Sequence, residues 1–376
     1  MEDTKKKNSI HDLLLTGFFL LALFAVPVML LCTKDKTFSD AERRYLTERP
    51  SLSQAELRDW HFDDDFEEYL ADQMPLRNAF VGINSYFTRL TGRTVAANVY
   101  RDADGHLVEA PASMSADELT RRLNRIQALG EKTGLTPKIV AVPAAGYIRR
   151  DKLPPSLAAL YRDGALLTRL NETEGVLAVP LEETFLREGP DYYYRTDHHW
   201  NREGAYAGYT LLCAALDKDP LLLGQYITRP VPGFSGSTVS RSALWLTAPE
   251  TLYLYEPDTP VTVTFSDDEK TYSSLLFTDH IGEYDWYPAF IDGNHPLTFI
   301  RNGSSPNSET LVMIKDSFGN TLAPFLVPMY RTVILADPRY YRGSISDICS
   351  EYGASELVFC YSLERLATDT NLLLIK

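Results

Sequence analysis

The segment Leu13 to Cys32, LLLTGFFLLALFAVPVMLLC, carries no charge. At roughly 20 residues it is long enough to cross a bilayer as a helix, and that constrains everything after it. Lys5, Lys6 and Lys7 stand just before it. They favour an N-terminus held in the cytoplasm and a remainder outside the cell membrane. A cleaved signal peptide is the rival, but it calls for a shorter apolar core and small residues before the cut. Here Met29, Leu30 and Leu31 precede Cys32, which also spoils a lipoprotein cleavage site. The expected layout is a cytoplasmic tail over 1–12, a single-pass anchor over 13–32, a polar stalk over 33–60 and a folded domain over 61–376.

Within that domain the hydrophobic period alternates. Phe62, Phe66, Tyr69, Leu70, Phe80, Ile83 and Phe87 recur at helical spacing around Pro75, which predicts two amphipathic helices joined at a Pro turn. Residues 116–134, 156–175 and 201–218 read as helices, the first stopped by Gly134. The short apolar runs 138–143, 176–180, 310–315, 332–337 and 356–361 read as strands. Strands alternating with helices predict an α/β fold with a mostly parallel sheet and helices on both faces. Residues from about 225 to 305 alternate polar and apolar around turns, including SSLLF and PLTFIRN, and predict a β-rich insertion.

The formal charge of -14 argues against nucleic acid, which needs a basic surface. It also weakly disfavours a strongly anionic polymer. Four cysteines are too few for a disulfide framework. Cys349 and Cys360 are near enough in sequence to pair, though nothing requires it, and buried thiols are the simpler reading.

Two stretches carry chemistry. In LVMIKDSFGN an apolar strand ends at Lys315, and Asp316 and Ser317 sit at its tip before a helical pattern. Ligands in such sheets bind beyond the carboxyl ends of strands. Ser317 can therefore offer a hydroxyl there, with the N–H groups of the following helix as oxyanion donors. The plainer alternative is that Asp316 or Ser317 caps the helix. A serine nucleophile needs a base. YYYRTDHHWN, residues 192–201, supplies candidates. In an extended segment Asp197 and His199 share a face and His198 points away. Asp197 can then orient His199, and His199 can take the Ser317 proton. The same residues suit a metal, but no further ligand cluster stands at telling spacing. A packed core histidine is the bland alternative. A sugar-binding surface is the third, since Tyr194 and Trp200 can stack on sugar faces.

TDHHWN followed by IKDSFGN resembles the DHHW protein family and is similar to the periplasmic alginate O-acetyltransferases. QMPLRN (Gln73 to Asn78) and MYRTVILADPRYY (329–341) resemble further segments of that family. The resemblance implies an SGNH-hydrolase-like α/β domain with Ser317 as nucleophile, His199 as general base and Asp197 as its partner. Chain order is reversed relative to ordinary SGNH enzymes, which geometry permits. Arg339 and Asn320 are further oxyanion or substrate-binding candidates, together with the Ser317 N–H; Trp200 and Tyr194 are aromatic ones. The resemblance further implies O-acetyl chemistry on a cell-surface polysaccharide. No metal or bound cofactor is part of this reading. Acetyl-CoA is cytoplasmic, so a membrane-bound O-acyltransferase partner would deliver the acetyl group. Transfer to a sugar and hydrolysis by water both stay open. A different class of reading is a non-catalytic glycan-binding or assembly component of an exopolysaccharide machinery.

Overall fold

The computed structural model of this chain describes residues 2–39, 42, 44–51, 62–91, 95, 96, 98–305 and 307–376. The chain divides into two compact units, Met1–Arg93 with Ser240–Trp245, and Thr94–Val239 with Leu246–Lys376.

In the first unit, one helix spans Glu2–Cys32, and its stretch Asp12–Cys32 is long and apolar enough to cross a membrane. Helices Phe62–Gln73 and Arg77–Leu90 follow, turned at Leu76 in the left-handed region (φ 59°). These are the two helices expected around Pro75. Part of the expected stalk, residues 40, 41, 43 and 52–60, lies outside the described residues, as does its junction with the next domain at 61. Its described part is not a free spacer. Gln73 exchanges two hydrogen bonds of 2.9 Å with the Lys36 backbone, and Tyr69 donates to Asp35 at 3.0 Å. Asp72 accepts from the Thr47 N–H at 2.9 Å and from its hydroxyl at 3.1 Å. Arg77 bonds Glu42 at 2.8 Å. These polar ties group the helix pair with the N-terminal segment.

The second unit is built on one eight-stranded sheet. Its strands are β1 (Lys138–Val142), β2 (Leu177–Ala178), β3 (Val261–Phe265), β4 (Asp268–Tyr272), β5 (Leu297–Asn302), β6 (Thr310–Lys315), β7 (Thr332–Ala336) and β8 (Ala354–Ser362). Their order is β4-β3-β5-β7-β6-β8-β1-β2. From β7 to β2 every pairing is parallel, while β5, β3 and β4 add on antiparallel. The sheet is therefore mixed. Much of the supposed insertion is the antiparallel wing of the sheet itself. Strands Tyr226–Phe234 and Glu250–Pro257 form a separate antiparallel pair, and SSLLF contributes only an isolated bridge, Leu276 to Phe290.

β6 is buried along its whole length because both faces are covered. Leu311 and Met313 face the helices Arg202–Ala215 and Phe318–Leu326. Val312 and Ile314 face the helices Ala116–Thr133, Ile345–Glu351 and Leu363–Thr368. Helix Ala116–Thr133 stops at Gly134 (φ 70°), as its glycine predicts. The single helix expected over 156–175 is two, Pro155–Ala158 and Asp163–Asn171. Between them Tyr161 turns inward and donates to the Glu109 carbonyl at 2.6 Å. Cys213, Cys349 and Cys360 are buried free thiols.

Candidate active site

Ser317 is separated from the carboxyl end of β6 by one residue, Asp316, and precedes helix Phe318–Leu326. From Thr310 to Val327 it alone keeps partial exposure. The capping alternative is resolved by division of labour. Asp316 Oδ1 accepts the Phe318 N–H at 2.9 Å, and its Oδ2 accepts the Ser362 N–H at 2.9 Å. Ser317 makes no side-chain cap bond, so its hydroxyl is available.

That hydroxyl meets His199 Nε2 at 2.8 Å, across 118 residues of sequence. His199 Nδ1 lies 2.6 Å from Asp197 Oδ1. The segment holding them is a tight loop. Tyr193 bridges Trp200, and the Tyr194 N–H donates to the His199 carbonyl at 3.2 Å. Asn201 then caps helix Arg202–Ala215 by accepting the Gly204 N–H at 3.0 Å. The loop is bent and not extended, so His198 does not point away. Its ring lies 3.9 Å from that of His199, and its Nδ1 meets Ser237 Oγ at 2.8 Å.

Asp197 is enclosed. Its Oδ1 accepts the His199 N–H at 2.9 Å and its Oδ2 the Ser237 N–H at 2.6 Å. A Cβ on Gly236 would stand 2.3 Å from the Asp197 Cβ, so only glycine fits there. Burial alone would raise the Asp197 carboxyl. The imidazoles of His199 and His198 and the Ser237 N–H reverse that and hold it well below the usual carboxylate range. The loop is pinned from outside by Glu250, which accepts the Thr196 N–H at 2.7 Å and the Arg195 N–H at 3.0 Å.

Tyr287 stacks on the His199 imidazole, with centroids 3.7 Å apart and planes 11° off parallel. Its hydroxyl lies 3.1 Å from Thr321 Oγ1. Thr321 gives its own proton to the Phe318 carbonyl, so Tyr287 is the donor. Neither Tyr287 nor Ser237 stands in a recognisable motif; YPA and SGS are ordinary turn sequences. Only the fold brings them to the loop.

The remaining candidates fall elsewhere. Trp200 is fully buried and donates from Nε1 to Thr321 Oγ1 at 2.7 Å. It packs so closely that a Cβ on Gly208 would stand 2.8 Å from its Cζ3. Tyr194 is buried edge-on against Phe234. Both are core wedges beneath the loop, not sugar platforms. Trp200→Ala is expected to cost about 3 to 5 kcal/mol of stability, from the cavity and the lost hydrogen bond; denaturant unfolding measures it. Arg339 sits past the end of β7 as expected, but Asp337 holds it in a two-pronged bond, Nε to Oδ1 at 2.8 Å and Nη2 to Oδ2 at 2.5 Å. The Asn320 amide donates to the Gly293 carbonyl at 2.9 Å, so it supports the neighbouring loop. Among the described residues no hydrogen bond uses the Ser317 N–H, which stays free as an oxyanion donor.

Beneath Ser317 lies a buried charge network. Lys315 Nζ donates to Asn294 Oδ1 at 2.9 Å and lies 3.7 Å from Asp337 Oδ2. Burial pulls the Lys315 pKa down to about 8, though Asp337 opposes it. The unfolded chain therefore binds more protons than the folded one between about pH 8 and 10.5, and this residue's cost to stability is relieved as pH rises through that window. Lys315→Met leaves Asp337 paired with Arg339. It is expected to stabilise the protein at neutral pH by on the order of a few kcal/mol, with the gain shrinking above about pH 8. Urea midpoints of both proteins across pH test this.

Among the described residues, Asp197, His198 and His199 form the one group of such side chains close enough to hold a metal ion, their ligand atoms within 4.8 Å of one another. As folded, His198 Nδ1 meets Ser237, His199 Nε2 meets Ser317, and His199 Nδ1 meets Asp197.

Residues 182–336 match the family model described as DHHW protein, and residues 99–232 the one described as SGNH hydrolase-like domain, acetyltransferase AlgX. No curated protein matches the chain. Among solved structures, a DHHW family protein from Eubacterium siraeum is 22% identical; the match covers 74% of this chain and 95% of that one, with a TM-score of 0.64. Bacillus cereus PatB1, solved with a sulfonyl adduct, is 19% identical over 74% of this chain and 98% of its own, with a TM-score of 0.62. At such identities the likeness is one of fold. The chain thus carries the DHHW resemblance that its motifs predict over residues 182–336 and the SGNH-hydrolase-like one over residues 99–232, and its fold is similar to that of a DHHW family protein.

Proposed function

We propose that this chain is a serine-dependent O-acetyltransferase or acetylesterase acting on a cell-surface polysaccharide. The observation that carries the reading is the line Asp197–His199–Ser317, ending in a partly exposed hydroxyl at a strand's carboxyl end. Ser317 Oγ attacks the acyl carbon as its proton passes to His199 Nε2. The free Ser317 N–H faces the developing oxyanion. Collapse breaks the bond to the donor oxygen, which leaves with the proton from His199, and an acetyl-serine remains. A sugar hydroxyl, or water, then repeats the steps in reverse. The Asp197 carboxylate holds the imidazole with its proton on Nδ1 and stabilises the imidazolium.

The helix Asp12–Cys32 serves in this reading as a single-pass anchor that keeps the second unit outside the cell, where a membrane-bound O-acyltransferase delivers the acetyl group. The match to an acetyltransferase family model supports the chemistry. The test is labelling with phenylmethylsulfonyl fluoride, followed by mass analysis of the peptides. One sulfonyl group on Ser317, formed equally with and without EDTA, is expected. Labelling spread over surface residues, or abolished by EDTA, would sink the triad reading and return the Asp197–His198–His199 cluster to a metal role.

A further inference from the structure

Helix Arg77–Leu90 is amphipathic in an inverted sense. At 100° per residue, Leu76, Phe80, Ile83, Phe87 and Leu90 fall on one stripe. Their exposures are 68, 49, 65, 63 and 85%. The opposite face carries the small residues Gly82 and Ser85, which are buried. Trp245 lies against Gly82, where an added Cβ would stand 2.9 Å from the indole. The large apolar side chains therefore face outward and the small ones inward, which marks a face that meets something apolar.

Two observations say what it meets. The first is reach. Lys36 stands four residues after Cys32, so at most ~14 Å of chain separates it from the end of the apolar run. Both backbone groups of Lys36 are bonded to Gln73, three residues before Leu76. The stripe thus starts within roughly 25 Å of the point where the run ends. The second is charge. Helix Arg77–Leu90 carries no acid; Arg77 is taken by Glu42 and Asp72, and Arg89 adds a positive charge in its last turn, whereas Phe62–Gln73 carries three acids in its first turn alone. The former suits an anionic lipid surface and the latter suits water.

We propose that the face Leu76–Phe80–Ile83–Phe87–Leu90 lies in the headgroup layer of the bilayer that Asp12–Cys32 spans. The inference rests on the reading of that segment as an uncleaved anchor. The helix forms a second, monotopic contact, so the chain is held at two points on the membrane and not by a single tether.

The test uses the full chain in vesicles of phosphatidylcholine with a minority of phosphatidylglycerol. An NBD fluorophore is placed at Ile83→Cys, Phe87→Cys or the control Glu67→Cys, each with Cys32→Ser. Blue-shifted emission, quenched by doxyl-labelled lipid, is expected at 83 and 87 and not at 67. Emission at 83 and 87 as water-like as at 67 overturns the proposal. A blue shift without lipid quenching overturns it too, and assigns the face to a second copy of the chain. Flotation after an alkaline wash is scored separately. Protein lost from the vesicles there fails the anchor reading, and the proposal with it; protein retained with water-like labels fails the proposal alone.

Discussion

Ser317→Ala should lower kcat for an acetyl ester such as p-nitrophenyl acetate by about 10⁴- to 10⁶-fold. The substitution removes the attacking oxygen and little else. Ser317 makes no cap bond, and Asp316 already ties the helix start to β8, so the fold has no need of the hydroxyl. The thermal midpoint should stay within a degree or two of wild type, about what loss of one surface-facing hydroxyl costs. What activity remains should come from the Ser317 position's N–H and from binding, which survive the change. The measurement is steady-state hydrolysis by wild type and variant, with EDTA in a parallel set. Equal rates in the two proteins would leave the chain without a serine mechanism. They would favour the non-catalytic role in glycan assembly, which tolerates the loss of Ser317.

The parts of this molecule that were legible in sequence are those that depend on local period. β6, β7 and β8 are central strands, and their unbroken apolar runs mark them. The wing made by β3, β4 and β5 looks like an insertion in sequence because alternating strands announce a half-exposed face but not their partner. Pairing β5 with β7 is a long-range choice that only assembly makes. In the site, Asp197, His199 and Ser317 were legible because their residue types are chemically marked. Trp200 and Tyr194 give no such signal, because an aromatic beside a reactive motif can face either way. Here the loop turns them inward, onto Thr321 and Phe234. His198 shares the site because the chain bends where an extended segment would turn it away. Arg339 stands at the expected strand end, yet its partner Asp337, two residues away, takes the guanidinium first. Tyr287 carries no local signal at all, although it covers one face of the base.

Asp197→Asn should reduce kcat by about 10⁴-fold at neutral pH, close to the loss expected from the serine variant. The reason lies in the donors around the carboxylate. Oδ1 faces both the His199 N–H and Nδ1, and Oδ2 faces the Ser237 N–H. An asparagine has one acceptor for these two sides. If its oxygen takes the Ser237 N–H, its NH₂ faces Nδ1. The imidazole proton then moves to Nε2, and His199 can no longer accept a proton from Ser317. If its oxygen faces His199, the NH₂ opposes the Ser237 N–H and the loop loses its tie. Stability should fall as well, in a pH-dependent way. The folded Asp197 pKa lies well below its ordinary value. The wild-type advantage is therefore complete above the unfolded value, near 4, and fades as pH falls through the folded one. The two proteins should unfold at clearly different urea concentrations at neutral pH and converge on acidification. Rates and unfolding midpoints measured on the same samples separate the two effects. A variant with wild-type kcat but lowered stability would make Asp197 a structural anchor for the loop, with no share in orienting the base.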